Sequence, residues 1–184
     1  MSDLTITNAG VTVTQNRPGM KSDNNKLNDM KMDVIEVTLT TDAETIADDA
    51  VIAQRIELAN VAAKKGGSCL LQSITLINTD SSTESPSMEL VFLEDNTAIA
   101  EDEGNAVSAS DTTAFKVLGA VTVSNWSILK PSDNEFAIKA NIGMVLKTTS
   151  DTRSVWVSVI NRSGGNYTPS GTNVLKGKFG IVQD

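Results

Sequence analysis

From Asp33 onward, apolar and polar residues alternate with the two-residue period of a half-buried strand. Between Val34 and Thr41, Ile35, Val37 and Leu39 share one face, and Glu36, Thr38 and Thr40 share the other. Met88, Leu90 and Phe92 alternate with Glu89, Val91 and Leu93. Phe136, Ile138, Ala140 and Ile142 alternate with Ala137, Lys139 and Asn141. Val155, Val157 and Val159 alternate with Ser154, Trp156 and Ser158. Leu175, Phe179 and Ile181 oppose Val174, Lys176, Lys178 and Val182. Two more segments, Arg55 to Val61 and Cys69 to Asn78, are joined across Lys65-Gly66-Gly67-Ser68.

Turn chemistry separates these runs, as in Asn78-Thr79-Asp80-Ser81-Ser82, Glu103-Gly104-Asn105, Pro131-Ser132-Asp133-Asn134 and Ser163-Gly164-Gly165-Asn166. Seven or eight strands so punctuated predict an all-β sandwich of jelly-roll kind. One short helix is expected over Thr112–Leu118, capped by Ser110 or Asp111, stopped at Gly119, with Ala114, Val117 and Leu118 toward the core. A second helical turn is expected within Asp42–Ala50. No fixed-period repeat is present, which argues against a propeller or a fibre shaft.

Residues 1–32 read differently, as an extended N-terminal arm ahead of a β-sandwich domain at 33–184. Leu4, Ile6, Val11 and Val13 alternate with threonines in two short β-like pieces. A polar stretch from Gln15 to Asp29 follows, with a turn at Arg17-Pro18-Gly19. Either an arm ordered against a partner or a plain first hairpin satisfies this pattern. On the arm reading, Leu4, Ile6, Val11 and Val13 are the interface candidates.

Composition narrows the chemistry. Fifteen basic residues against 23 acidic ones leave a net charge of −8 over 184 residues. Phosphate neutralisation needs the opposite balance, so neither nucleic acid nor an anionic membrane is an expected partner. No apolar run approaches the roughly 20 residues that span a bilayer, and Met1-Ser2-Asp3 does not open a secretory signal. The expected setting is therefore a cytoplasm. Histidine is absent, which removes the commonest general base, the commonest metal ligand and the Ser-His-Asp and Cys-His arrangements. Cys69 stands alone, so no intramolecular disulfide or thiolate cage forms, and it reads as a buried small hydrophobe.

The remaining candidate sites are weak. Asp95, Glu101, Asp102 and Glu103 offer clustered oxygens, yet lack the alternating order of a dedicated calcium loop. Lys64-Lys65-Gly66-Gly67-Ser68 has its lysines ahead of the glycines and a strand after them, so it reads as a glycine hairpin. Trp126 and Trp156 sit in strand contexts and suit core or interface packing. Three Asn-X-Ser/Thr patterns carry no weight without a secretory signal. The expectation is a protein that is not an enzyme, with no catalytic residue, no metal and no cofactor.

An ordered series of segments carries a resemblance. It runs from Arg55-Ile56-Glu57-Leu58-Ala59-Asn60-Val61-Ala62 to Leu70–Asp80 and then Met88-Glu89-Leu90-Val91-Phe92-Leu93. Asp111–Gly119 leads into Ala120-Val121-Thr122-Val123, followed by Lys139-Ala140-Asn141-Ile142-Gly143 and Lys178-Phe179-Gly180-Ile181-Val182-Gln183-Asp184. From about Val34 to Asp184 the chain resembles a family of small virion structural proteins of tailed bacteriophages, of capsid decoration (cement) kind. The resemblance implies a virion location on the capsid exterior, after synthesis in the host cytoplasm. It also implies a major capsid protein or other virion protein as partner, and a homo-oligomer, with a trimer favoured by analogy. Head-fibre, tail and baseplate roles, and a carbohydrate-recognising receptor-binding module, are the alternatives. No family active site carries over.

Overall fold

The computed structural model describes residues 4–8, 11–15, 31–39, 44–79, 86–130 and 134–183. The chain divides into two compact units, Met1–Met30 and Lys31–Asp184. In the first, β1 (Leu4–Asn8) and β2 (Val11–Gln15) pair antiparallel. The polar stretch after Gln15 lies outside the described residues.

The second unit is the expected all-β sandwich. One sheet runs in the order β3 (Lys31–Leu39), β11 (Leu175–Gln183), β5 (Ser68–Asn78), β9 (Asn134–Lys147), β8 (Trp126–Lys130). The other runs β4 (Val51–Leu58), β10 (Val155–Asn161), β6 (Met88–Leu93), β7 (Val117–Val123). Every ladder is antiparallel. The chain changes sheet at each step except β6–β7 and β8–β9.

Alternation fixes which side chains meet between the sheets. Leu71, Ile74 and Leu76 of β5 and Leu175, Phe179 and Ile181 of β11 face Leu90 and Phe92 of β6 and the valines 155, 157 and 159 of β10 in one fully buried cluster. At its centre the rings of Phe92 and Phe179 meet edge to face, 6.1 Å between centroids at 88°. Gly177 has a packing reason: a β-carbon there would lie 2.7 Å from the Phe179 ring. Ile35, Val37 and Leu39 turn inward as the pattern predicts, although Ile35 and Val37 at the edge are only half-buried.

One strand departs from plain alternation, and three expectations fail, each for an identifiable reason. In β9 the inward-facing set changes at mid-strand: Ala137 is buried, and Ile138 faces outward, paired to Thr75. A bulge follows, in which Ala140 pairs with Ser73 and Met144 with Leu71, leaving three residues opposite one. Asn141 and Gly143 take the positive φ it needs, 56° and 68°. From Ile142 onward, Ile142, Met144 and Leu146 turn to the core.

The helix is shorter than predicted. α1 spans Asp111–Ala114 alone, with the Ser110 hydroxyl accepting from the Thr113 N–H at 3.2 Å. Val117 and Leu118 belong to β7, because Val117 pairs with Leu93 of β6, and Val117 is 40% exposed. Residues 44–50 hold no helix but two isolated bridges, Ile46 to Tyr167 and Ala50 to Ala106. The Lys64–Gly67 turn is not a hairpin either, since β4 and β5 lie in different sheets.

Candidate interaction surfaces

The β1–β2 register sets Ile6 opposite Val13 and Leu4 opposite Gln15, while the side chains of the interface candidates Leu4, Ile6, Val11 and Val13 lie outside the described residues.

The outer face of the four-stranded sheet is covered by its own chain. The connection from β6 to β7 folds back so that Ile99 and Ala100 pack on Val51, Leu93 and Ile160 in a second buried cluster. Burying Ile99 contributes about 1.5–3 kcal/mol. A bulge in β4 aims the anchoring groups: Arg55 has φ 59°, and Gln54 Oε1 accepts from the N–H groups of Ile99 and Ala100 at 3.2 and 3.4 Å. The same segment shields the β4 edge, where Gly104 N–H donates to Val51 O and Val51 N–H to Asn105 O. Sequence reasoning saw only an acidic loop here. The apolar signal was Ala98-Ile99-Ala100 inside it.

The acidic residues of that loop do not converge. Among the described residues no group of three Asp, Glu, His or Cys is placed to hold a metal ion. Glu103 accepts from the Gln54 N–H at 3.3 Å. Asp102 accepts from the Glu103 N–H at 2.9 Å. Asp95 pairs with Lys116 at 2.7 Å and accepts from the Thr97 hydroxyl. Burial opposes the Asp95 charge, but Lys116 and Thr97 outweigh it and hold the carboxyl below its ordinary value. A lowered folded value stabilises above the unfolded one and is lost as pH falls through it. Asp95→Asn is therefore expected to cost roughly 0.5 kcal/mol at neutral pH, solvent screening keeping it small. Urea titrations across pH should show the difference from the parent protein vanishing in acid below the usual aspartate range.

The outer face of the five-stranded sheet is not covered by any other described segment of the second unit. Its register aligns Met32, Val182, Leu70 and Val145 in one row across β3, β11, β5 and β9. A row of smaller residues follows: Val34, Gly180, Ser73 and Ala140. Next come Glu36, Lys178, Thr75 and Ile138, with Lys178 and Glu36 paired at 2.7 Å.

The other residues singled out by sequence serve structure. The Gly66 N–H meets Thr149 O at 2.9 Å, and φ 68° fits glycine, so the Lys-Lys-Gly-Gly segment is a turn leading into a strand. Trp126 donates its indole N–H to Pro86 O at 2.8 Å, and Trp156 is half-buried in β10 opposite Glu57 and Leu93. Cys69 is buried, as expected. Asn161, which the sequence marks only as the start of an Asn-X-Ser pattern, is fully buried: its amide donates to Ile46 O, Ala47 O and Gly165 O at 3.2, 3.0 and 2.9 Å. Beside it Arg162 joins Glu89, at 2.8 Å, and Asp49. No helix among the described residues is long and apolar enough to cross a membrane.

No family model matches the chain, and no curated protein does. Among solved structures, a chain from the single-particle structure of maize chlorotic mottle virus is similar at 6% identity and TM-score 0.28, over 83% of this chain and 92% of that one. A chain from the structure of the Gt strain of infectious bursal disease virus is similar at 9% identity and TM-score 0.17, over 96% of this chain and 45% of that one. Likeness at this level carries no argument about function.

Proposed function

We propose that the chain is a non-enzymatic structural protein of a tailed-phage virion, a decoration protein that binds and stabilises the outer surface of the head. The observation that carries this reading is where the resemblance falls. Its ordered segments occupy β4, β5, β6, α1 with β7, the bulge of β9 and β11. They are packing and turn positions spread over one sandwich, as a binding scaffold requires, rather than residues converging on one cleft. A jelly-roll path fits the repeated crossing between sheets. The net charge of −8 favours an outward position over one lined by packaged DNA.

The β1–β2 unit is the proposed anchor, with Leu4, Ile6, Val11 and Val13 meeting a neighbouring virion protein by strand addition or face contact. Deleting residues 1–30 is expected to leave the sandwich melting unchanged while abolishing attachment to the particle. A truncated protein that melts far lower, or that still binds, rejects the anchor. Cryo-EM of the assembled particle tests the role itself: density on the outer head supports it, and density on the tail or baseplate moves the protein there.

A further inference from the structure

We propose that residues 94–110 form a latch that opens as one unit while the sandwich stays folded, uncovering an apolar patch and the β4 margin together. The segment is tied to the four-stranded sheet in two places. Ile99 and Ala100 seal its outer face by packing on Val51, Leu93 and Ile160. Residues 104–107 run along the β4 margin, where Gly104 N–H donates to Val51 O at 2.8 Å and Val51 N–H to Asn105 O at 2.9 Å. Val107 N–H adds a longer bond, 3.4 Å, to Asp49 O.

The sandwich does not depend on this cover. The buried cluster between the sheets takes no residue from 94–110. The strands beneath the latch are held by their own ladders, β10 to β4 and β10 to β6. From the segment itself only Ile99 and Ala100 are sealed in the second cluster. A segment with so little apolar burial belongs to the low-stability end of a fold, the part that opens without global unfolding. Its base is pinned meanwhile. Glu94 N–H donates to Lys116 O at 3.0 Å, and Asp95 pairs with the Lys116 ammonium at 2.7 Å. The stretch between can therefore lift while β6 and β7 stay paired.

Two ties make the latch one piece rather than two. Ser108 N–H donates to Ile99 O at 2.9 Å, so the stretch over the patch and the stretch along the margin brace each other. Gln54 joins them again from below. Its Oε1 accepts from the N–H groups of Ile99 and Ala100 at 3.2 and 3.4 Å, and its own N–H donates to Glu103 at 3.3 Å. Lifting Ile99 therefore breaks the hold on residues 103–108 in the same event. Shut, the latch fills the place that a strand from another chain would take beside β4. Open, it exposes Val51, Leu93 and Ile160 and frees the Val51 N–H and C=O for a new ladder. Strand acceptance at this margin is then conditional on the opening, whatever the protein binds.

The test is native-state hydrogen exchange of the full chain, read amide by amide across low urea concentrations. The amides of Val51, Ile99, Ala100, Gly104 and Ser108 should share one opening, with protection at least about a hundredfold below that of Ile74 and Leu76 in β5. Their urea dependence should be a small fraction of that in β5, because the opening exposes little surface. Ile99→Ala should lower the protection of all five by one common factor, between about tenfold and a hundredfold. If that variant does not fold, Ile99→Val gives the same test with a smaller common factor. Five amides as protected as β5, with the urea dependence of β5, overturn the proposal, since the cover then leaves only with the whole fold. So does an Ile99→Ala effect confined to residues 99 and 100, which means that patch and margin open separately.

Discussion

Phe179→Ala is expected to lower the stability of the sandwich by about 3–5 kcal/mol, the usual cost of emptying a phenylalanine site in a closed core. The ring is fully buried, meets Phe92 edge to face, and is the point where β11 of one sheet touches β6 of the other. Neighbours on two flat sheets cannot close such a hole without moving a whole sheet, which keeps the cost high. For a unit of this size, roughly 2–4 °C is lost per kcal/mol, so a fall in melting temperature of about 6–20 °C is expected by calorimetry. Gly177 supplies an internal check. In the parent protein Gly177→Ala drives a β-carbon to 2.7 Å from the Phe179 ring and should destabilise. With Phe179 already alanine that clash is gone, so the second substitution should cost much less. Additive losses would show that the two sites do not meet.

Asn161→Ala is expected to cost about 2–3 kcal/mol, a large effect for one polar side chain. Asn161 ties residues 46–47 to residues 163–165, donating to three backbone carbonyls and accepting from the Ser163 N–H and hydroxyl. The loss is bounded because each carbonyl keeps another donor: Tyr167 N–H on Ile46 O, Ala50 N–H on Ala47 O, and the Ser163 hydroxyl on Gly165 O. Asn161→Asp should be worse at neutral pH, since a carboxylate oxygen then faces three carbonyl oxygens. Unlike Ala, it should recover as pH falls and the acid regains a proton to donate. Urea titrations at two pH values distinguish the variants. An Asp variant no worse than Ala would mean the carbonyls are not where the fold puts them.

Strands were legible where one face is apolar and the ladder unbroken. Met88–Phe92, Val155–Val159 and Leu175–Ile181 all bury the side their alternation predicts. Legibility ended where both faces carry apolar residues. In β9, Phe136 and Ile138 outweigh Ala137 on any hydrophobicity scale, but register to Leu76 places Ala137 inside, and the Asn141–Gly143 bulge then resets the phase. Only Asn and Gly two apart hinted at it. The 110–118 segment has caps and composition for a helix, but pairing with β6 takes its second half into a strand, which local propensity cannot foresee. The interaction surfaces were least legible. The outer face of the five-stranded sheet is assembled from strands far apart in sequence. The 94–110 cover was hidden by its charge.

The closed edge of β4 sets a limit on how copies can join through the four-stranded sheet. With residues 104–107 laid along the start of β4, and Ala50 bridged to Ala106, that margin offers few unmet N–H and C=O groups to another chain. The other margin, β7, has no such guard among the described residues. A sheet with one margin blocked can accept a single strand from outside and then stops. Growth of an endless ribbon, which needs two open margins per copy, is therefore barred along this sheet.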